Sequence, residues 1–167
     1  IDAEDFQRIY AVNVVGPYQM TRAATPALQK QGGSVVMISS MSGITGVGSS
    51  NAYVASKGAL NTMTLALARA LAPKVRVNAI CPGLVDTRWH HARFANPDDY
   101  QKFLDKYAEN VALGKPSSAE DVAEVAVWLI ESGGMVTGEM IKVDGGQHLG
   151  PAWRQRPGRH GCAAAAA

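Results

Sequence analysis

The sequence predicts an α/β fold with a doubly wound parallel sheet, and three observations lead to this prediction. Segments with helical periodicity alternate with short apolar segments in the order helix, strand, helix, strand, helix, strand. The apolar segments are nearly continuous, as is typical of parallel strands buried on both faces. Gly and Pro separate the segments, so each element is short and bounded. This pattern indicates one domain over residues 1–150 with helices on both faces of the sheet.

The first half of the chain predicts a helix, a strand and a second helix. The first helix covers residues 2–30, with Asp2 as its N-cap and Pro17 interrupting its middle. A buried strand follows at 34–39, and a polar, Gly-rich loop covers 42–51. The second helix spans 52–72, begins at a cap from Ser50 or Asn51, and is stopped by Pro73.

The second half predicts two strands on either side of a third helix. Residues 75–80 form a strand that Cys81-Pro82-Gly83 closes. Residues 84–116 are predicted to be irregular or to form short helices, and Ser117-Ser118 then caps a helix that runs to about residue 132. The last strand is 140–143. Residues 151–167 are predicted to be a tail, either disordered or artefactual.

Composition limits the classes of function. The net charge of +2 is too small to indicate nucleic acid or an anionic membrane surface as a partner. Cys81 and Cys162 are the only cysteines and no Cys/His cluster exists, so we expect no metal site and a reducing, cytoplasmic location. No apolar run reaches the roughly 18 residues of a membrane span. The chain begins without Met, and we expect it to be part of a longer protein.

Tyr53 and Lys57 form the pattern that is most informative about chemistry. Their spacing of four residues places both side chains on one face of the second predicted helix. A free phenol ionises near pH ~10, and a neighbouring positive charge or a helix N-terminus favours the phenolate form. Such a pair can exchange a proton with an alcohol or a carbonyl. The alternative is a surface Tyr and Lys that merely share a helix face.

Other motifs surround this pair. Ser40 lies 13 residues before Tyr53 at the end of a strand, and Asn13 lies 27 residues before Ser40. The segments VRVNAICPGLVDT and VTGEMIKVDGG follow downstream. In this order and spacing, from Asp2 to Gly146, the motifs resemble the short-chain dehydrogenase/reductase family. The resemblance implies a Rossmann-like fold and an enzyme that reduces carbonyls or oxidises alcohols with NAD or NADP.

The resemblance also implies roles for individual residues. Tyr53 would be the general acid/base that gives its proton to the developing alkoxide, and Ser40 would hydrogen-bond the substrate oxygen. Lys57 would bind the hydroxyls of the nicotinamide ribose, which Tyr53 also approaches. Asn13 would hold a water that passes protons to Lys57.

The strand end at Pro82-Gly83 is the second group of candidate cofactor contacts. Glycine there would let the backbone approach a ligand closely, although an ordinary strand-ending turn is the alternative. By resemblance, Val85 and Thr87 would contact the nicotinamide carboxamide. The Asp144-Gly145-Gly146 segment would be a signature of the fold and of subunit packing.

Several interpretations stay open at this point. Pro17 has no N–H, so the Asn13 carbonyl loses its helical partner and could bind water, or Pro17 could simply kink the helix. Ser40 could be no more than a polar strand end. His90 and His91 could line a substrate pocket, but a mobile surface loop is the favoured interpretation. The glycines of the 42–51 loop do not have GxGxxG spacing, so they are predicted to flank the substrate and not to cradle phosphate.

The predicted function is the interconversion of a carbonyl and a secondary alcohol, with a 3-oxoacyl thioester as the first choice of substrate. By family spacing, roughly 90–100 residues with the cofactor-binding turn are expected before Ile1, so the sequence does not distinguish NAD from NADP. A homotetramer or homodimer is expected. The rival hypothesis is a truncated, catalytically silent Rossmann-like remnant that serves as an oligomerisation or interaction module.

Overall fold

The computed structural model describes residues 1–152 and contains one parallel three-stranded sheet with helices packed against it. The strands lie in the order β1-β2-β3, with bounds Ser34–Ile38, Arg76–Pro82 and Met140–Val143. The helices are α1 (Ala3–Tyr10), α2 (Gly16–Gln31), α3 (Ser42–Thr45), α4 (Asn51–Leu71), α5 (Arg88–His91), α6 (Pro97–Ala108) and α7 (Ala119–Glu131). A π-helical turn (Ala11–Val15) joins α1 to α2, and a short 3₁₀ turn covers Gln147–Leu149.

Helices α4 and α7 cover opposite faces of the sheet. Successive residues of a strand point to opposite faces. Met37 of β1 and Val77 of β2 are buried in one cluster with Leu60 of α4. Ser34 and Arg76, which are paired in register, point to the other face, and both side chains donate to the last turn of α7. The predicted parallel α/β fold with helices on both faces is confirmed.

The first helix shows how Pro17 is accommodated. Pro17 has no N–H and cannot donate to the carbonyl four residues earlier. Just before it the helix widens into the π turn, in which the Gly16 N–H donates to the Ala11 carbonyl five residues back. The interruption predicted near Pro17 is therefore a local change of helical register, and such turns occur often at functional sites.

Two segments differ from the sequence-based expectation. Strand β2 continues through Pro82, two residues past its predicted end, because β3 pairs with it along Ala79–Pro82. Residues 84–116 contain a full helix, α6, whose N-cap is Asn96: its side chain accepts from the Asp98 N–H at 2.9 Å. These segments deliver several side chains to the carboxyl edge of the sheet.

A buried asparagine fixes the last strand against β2. The Asn78 side chain donates to the Val136 carbonyl at 2.9 Å and accepts from the Glu139 N–H at 3.0 Å. Both bonds tie the chain just before β3 to the centre of the sheet. The turn that follows β3 is thereby held at the carboxyl edge, next to the end of β2.

Candidate functional site

A cavity of about 730 Å³ opens at the carboxyl edge of the parallel sheet, and we call it the sheet-edge cavity. Four of the residues predicted from sequence line it together: Ser40, Tyr53, Pro82 and Gly83. They come from the end of β1, the first turn of α4 and the end of β2. Open α/β sheets bind ligands at this edge.

Local capping positions Tyr53. The Ser50 hydroxyl, at the N-cap of α4, accepts from the Tyr53 N–H at 3.2 Å. Tyr53 therefore occupies the first turn, where the unpaired N–H groups of the helix make a positive end. Its half-buried side chain faces the sheet-edge cavity, so a phenol is presented to a ligand near a positive dipole.

Ser40 is held with its hydroxyl proton available. Its Oγ accepts from the Ser42 N–H at 3.1 Å, which fixes the side chain through a lone pair. A hydroxyl has one proton to donate, so Ser40 can still give a hydrogen bond to an oxygen in the cavity. Ser39 differs: it is buried, and its hydroxyl donates to Asn61 Oδ1 at 2.6 Å.

The loop after Ser40 packs tightly on α4 at Gly43. A Cβ on Gly43 would lie 2.5 Å from the Lys57 carbonyl carbon, closer than real Cβ atoms come to backbone. The Asn61 side chain donates to the Gly43 carbonyl at 3.3 Å. This close approach keeps the loop that carries Ser40 in fixed relation to the helix that carries Tyr53 and Lys57.

Lys57 lies one helical turn beyond Tyr53. Its Nζ is 5.7 Å from the centroid of the Tyr53 ring and donates to the Ile38 carbonyl at 2.9 Å. Burial lowers the pKa of Lys57, and electrostatic interaction with Cys81 opposes this effect in part. Lys57 lines a second cleft of about 330 Å³, together with Asn13, Pro17 and Ile38.

Asn13 connects the π turn to the helix of Tyr53. Its side-chain amide donates to Ser56 Oγ at 3.0 Å, and Ser56 Oγ donates to the Tyr53 carbonyl at 2.8 Å. The Asn13 side chain is half-buried, and it shares the second cleft with Lys57. A water between Asn13 and Lys57 stays a prediction.

Val85 and Thr87 lie on the segment that leaves the end of β2, outside the lining of either cleft. Val85 forms an isolated parallel bridge with Ser117, and Thr87 is the N-cap residue of α5. The predicted site residues are thus divided. Ser40, Tyr53, Pro82 and Gly83 share the sheet-edge cavity, Asn13 and Lys57 share the second cleft, and Val85 and Thr87 flank the strand end.

Tyr107 of α6 was not anticipated from the sequence. Its hydroxyl accepts from the Leu84 N–H at 3.1 Å and donates to Gln147 Oε1 at 3.0 Å, across the end of β2. Burial, and to a smaller extent Asp144, raise its pKa, while the Leu84 bond lowers it. A Cβ on Gly83 would lie 2.9 Å from the Tyr107 hydroxyl, which explains glycine at this strand end.

Asp144 organises the turn after β3. Its buried carboxylate accepts from the Gly146 N–H at 3.0 Å, the His148 N–H at 3.1 Å and His148 Nδ1 at 2.7 Å. Burial alone would raise the pKa of Asp144, but the bonds from His148 and Gly146 outweigh it and leave the pKa lowered. The turn places Gln147 and His148 on the wall of the sheet-edge cavity.

The segment around α5 closes the other side of the sheet-edge cavity. Trp89, His90 and Arg93 line it, and His91 lies outside it, where Nε2 is 2.9 Å from Asp86 Oδ1. Of the two histidines for which the sequence left a pocket wall or a surface loop open, His90 lines the cavity beside the exposed Trp89 and His91 does not. The ring of His91 packs on that of Tyr100, with centroids 4.1 Å apart, so the position of α5 depends on a contact with α6 that no local motif encodes.

Two global properties of residues 1–152 complete the description of the site. None of their helices combines the length and apolar character that crossing a membrane requires. Within the same range, no three His, Cys, Asp or Glu side chains are grouped so that they could hold a metal ion.

Comparison with known proteins finds oxidoreductases among those to which the chain is similar. The family model described as enoyl-(acyl carrier protein) reductase matches residues 1–148. The chain is 36% identical over 135 residues to the short-chain dehydrogenase/reductase homolog YusR of Bacillus subtilis, covering 80% of the chain and 98% of YusR. It is 35% identical over 150 residues to L-fucose dehydrogenase of Bos taurus, covering 89% of the chain but only 55% of that enzyme. Three further curated relatives are covered over 57%, 58% and 58% of their length.

Solved structures share the fold. The aldohexose dehydrogenase of Thermoplasma acidophilum superposes with a TM-score of 0.85 at 25% identity, over 97% of this chain and 64% of that one. ElxO, solved with NADP bound, superposes with a TM-score of 0.79 at 27% identity, over 89% of this chain and 60% of its own. The chain therefore corresponds to a little more than half of each of these structures.

Proposed function

Since the chain belongs to the short-chain dehydrogenase/reductase family, we propose that it supplies the catalytic residues of a nicotinamide-dependent oxidoreductase. The reaction is the interconversion of a carbonyl and a secondary alcohol by hydride transfer. One observation carries the proposal: Tyr53 and Ser40 face the same cavity beside the strand end at Pro82-Gly83, with Lys57 one helical turn beyond Tyr53.

The residues present fit a nicotinamide nucleotide, either NAD or NADP. The Lys57 ammonium and the Tyr53 hydroxyl are donors of the kind that bind ribose hydroxyls. Pro82 and Gly83 place the end of β2 on the cavity wall, where Tyr107 and Gln147 occupy the space that a side chain at Gly83 would need. Val85 and Thr87, on the segment that leaves this strand end, are proposed to contact the carboxamide. When bound, the nicotinamide supplies or accepts the hydride.

Tyr53 and Ser40 act on the substrate oxygen. During carbonyl reduction the carbon gains a hydride, negative charge grows on the oxygen, and the Tyr53 hydroxyl gives that oxygen its proton. Ser40 donates a hydrogen bond to the same oxygen, and this bond strengthens as the charge develops. Oxidation of an alcohol runs through the same two side chains in reverse, with Tyr53 as the base.

Lys57 and Asn13 return the proton to Tyr53. The Lys57 ammonium, near the phenol ring, stabilises the phenolate that remains after proton transfer. A water in the second cleft, held by Asn13 near the π turn, is proposed to connect Lys57 with solvent. The hydrogen bond from Asn13 to Ser56 supports this route. Ser56 lies on the same helix as Lys57, and the bond orients the Asn13 amide at the second cleft.

A 3-oxoacyl thioester is the proposed substrate. The sheet-edge cavity has the volume typical of sites for drug-sized ligands, between roughly 300 and 1,000 Å³. Met41, Val47 and Leu84 contribute apolar walls that suit an acyl chain. The description of the matching family model, enoyl-(acyl carrier protein) reductase, also names an acyl compound.

Steady-state turnover of the full-length gene product tests the proposal. We expect oxidation of NADH or NADPH when a 3-oxoacyl thioester is added, and loss of that turnover in Tyr53→Phe. Folded protein that binds a reduced nicotinamide nucleotide but turns over no carbonyl or alcohol would contradict the assignment.

A catalytically silent oligomerisation module is the second candidate. Val12, Val15 and Met20, on the α1–α2 segment, are half to three-quarters exposed although apolar, as is Ile38 at the open edge of β1. Such a surface fits association into a homodimer or homotetramer. Sedimentation of the gene product, measured beside the turnover assay, distinguishes an active oligomer from an inactive one.

A further inference from the structure

Arg93 gives the sheet-edge cavity a permanent positive charge. It follows α5, and its guanidinium carbon lies 5.1 Å from the centroid of the Trp89 ring, so the two groups form a cation–π pair on the cavity wall. Stacking on an indole restricts the guanidinium while its N–H groups remain able to bind a pair of oxygens. This is the arrangement that recognises carboxylates and phosphates.

No acidic side chain of residues 1–152 neutralises this charge. The residues that line the cavity include no Asp or Glu, and within this range no carboxylate lies at ion-pair distance from Arg93. Two carboxylates interact with residues of the cavity wall, Asp86 with His90 and Asp144 with His148, and both already accept hydrogen bonds. Asp86 accepts from the Tyr100 hydroxyl at 2.6 Å, and Asp144 binds the His148 ring and backbone.

The neighbouring histidine adds hydrogen bonding but little charge. Burial, and then repulsion by Arg93, lower the pKa of His90, and its attraction to Asp86 opposes this only in part. His90 is therefore mostly neutral near pH 7, and the positive charge of this wall is concentrated on Arg93. The lining of the same cavity also includes Leu84 and other apolar side chains.

We infer that Arg93 binds an oxyanion of the substrate, so that the enzyme prefers a keto or hydroxy compound that carries a carboxylate or a phosphate on an otherwise apolar body. This inference rests on the proposed function and adds the charge of the substrate to it. The oxyanion could be the carboxylate of a free keto acid or the phosphate of a phosphopantetheine thioester. Both present the same oxygen pair to the guanidinium.

The test uses matched pairs of substrates with the full-length gene product. One pair is a 3-oxo acid and its methyl ester, and the other is a 3-oxoacyl phosphopantetheine and the corresponding pantetheine. For each pair, kcat/KM of the charged substrate is divided by kcat/KM of the uncharged one. We expect Arg93→Met to lower this ratio by about tenfold or more for one of the two pairs, mainly because the KM of the charged substrate rises. The pair that responds identifies carboxylate or phosphate as the recognised group.

Arg88 offers a matched control. It lies on α5, is exposed, carries the same charge, and is not among the residues that line the sheet-edge cavity. We expect Arg88→Met to leave both ratios unchanged within about twofold, because Arg88 does not line the cavity and an exposed charge is screened by salt. Ratios that fall equally in both variants, or in neither, would overturn the assignment of Arg93.

A binding measurement separates this inference from the proposed function. Because Trp89 stacks on Arg93, the fluorescence of Trp89 reports occupancy of the cavity by a 3-oxo acid or a phosphopantetheine. The Trp89 signal is obtained by subtracting the fluorescence of Trp89→Phe from that of the wild type. Saturable binding that Arg93→Met abolishes, without turnover of any substrate, would support the anion site and contradict the oxidoreductase. Absence of both binding and a substrate preference would refute the anion site.

Discussion

Replacing Tyr53 with Phe removes one oxygen atom from the sheet-edge cavity and tests the central role in the proposed mechanism. Within residues 1–152 the Tyr53 hydroxyl makes no hydrogen bond, so the substitution leaves no buried polar partner behind. The helix cap at Ser50 involves only the Tyr53 backbone N–H and is unaffected. We therefore expect the free energy of unfolding to change by less than about 0.5 kcal/mol.

The expected effect on catalysis is much larger. A positioned general acid contributes about 10²–10⁴-fold to the rate, so turnover should fall by at least about 10²-fold, or about 3 kcal/mol in the activation free energy. Affinity for the nicotinamide nucleotide should remain nearly unchanged, because only the proton donor is lost. Lys57→Ala should weaken both turnover and nucleotide affinity, since its ammonium serves both.

Tyr107→Phe is the matched control, because it removes a hydroxyl from the same cavity. This hydroxyl accepts from the Leu84 N–H and donates to Gln147. Its loss should cost about 1 kcal/mol of stability, which in a domain of this size lowers Tm by roughly 2–4 °C. Steady-state kinetics, nucleotide titration and thermal unfolding of wild type and the three variants provide the comparison.

The opposite pattern of results would refute the assignment. If Tyr53→Phe kept near-normal turnover, or if Tyr107→Phe lost as much activity as Tyr53→Phe at equal folding, then Tyr53 would not be the acid/base. A fall in the Tm of Tyr53→Phe much larger than that of Tyr107→Phe would instead indicate that its loss of activity is structural.

Three further predictions concern Ser40, Gly43 and Asp144. Ser40→Ala should lower kcat by about 10²-fold with little change in Tm, and an unchanged kcat would exclude Ser40 from charge stabilisation. Gly43→Ala should destabilise the protein by about 1–3 kcal/mol in urea unfolding, because its Cβ would meet the Lys57 backbone at 2.5 Å, whereas Gly134→Ala, with open space around it, should not. Asp144→Asn should cost about 1–3 kcal/mol at neutral pH. Because folding lowers the pKa of Asp144, its contribution is present above the unfolded value near pH ~4 and is lost as the pH falls through the lower folded value. The difference in unfolding free energy between wild type and Asp144→Asn should therefore shrink in acid, and a constant difference down to low pH would contradict this origin.

Local signals in the sequence were sufficient for the main elements and for the helix of the site. Tyr53 and Lys57 are close because they are one turn apart on α4, a relation that the helical period determines without any tertiary contact. Ser40 follows a continuous apolar strand, and strand ends of a parallel sheet meet at one edge. Pro17 indicated an interruption of the first helix, although its missing N–H did not specify the five-residue π turn.

Helix α6 could have been predicted from its start signals. Asn96 as N-cap, Pro97 in the first helical position and Asp98 and Asp99 in the first turn form a standard helix beginning. These signals lay in a segment that was interpreted only as irregular or as short helices, without a defined start or end. The helix matters because it carries Tyr107 across the end of β2.

Only the tertiary structure decided which distant side chains share the cavity. Tyr107 reaches Gln147 from 40 residues away, and Arg93 and His148 line the same cavity from separate segments of the chain. Capping, periodicity and Pro or Gly breaks are local, because they depend on backbone hydrogen bonds over a few residues. The composition of a cavity depends instead on the packing of whole elements against the sheet. The sequence by itself therefore determined the order of elements and the Tyr53–Lys57 pair, and packing decided the walls and the charge of the site.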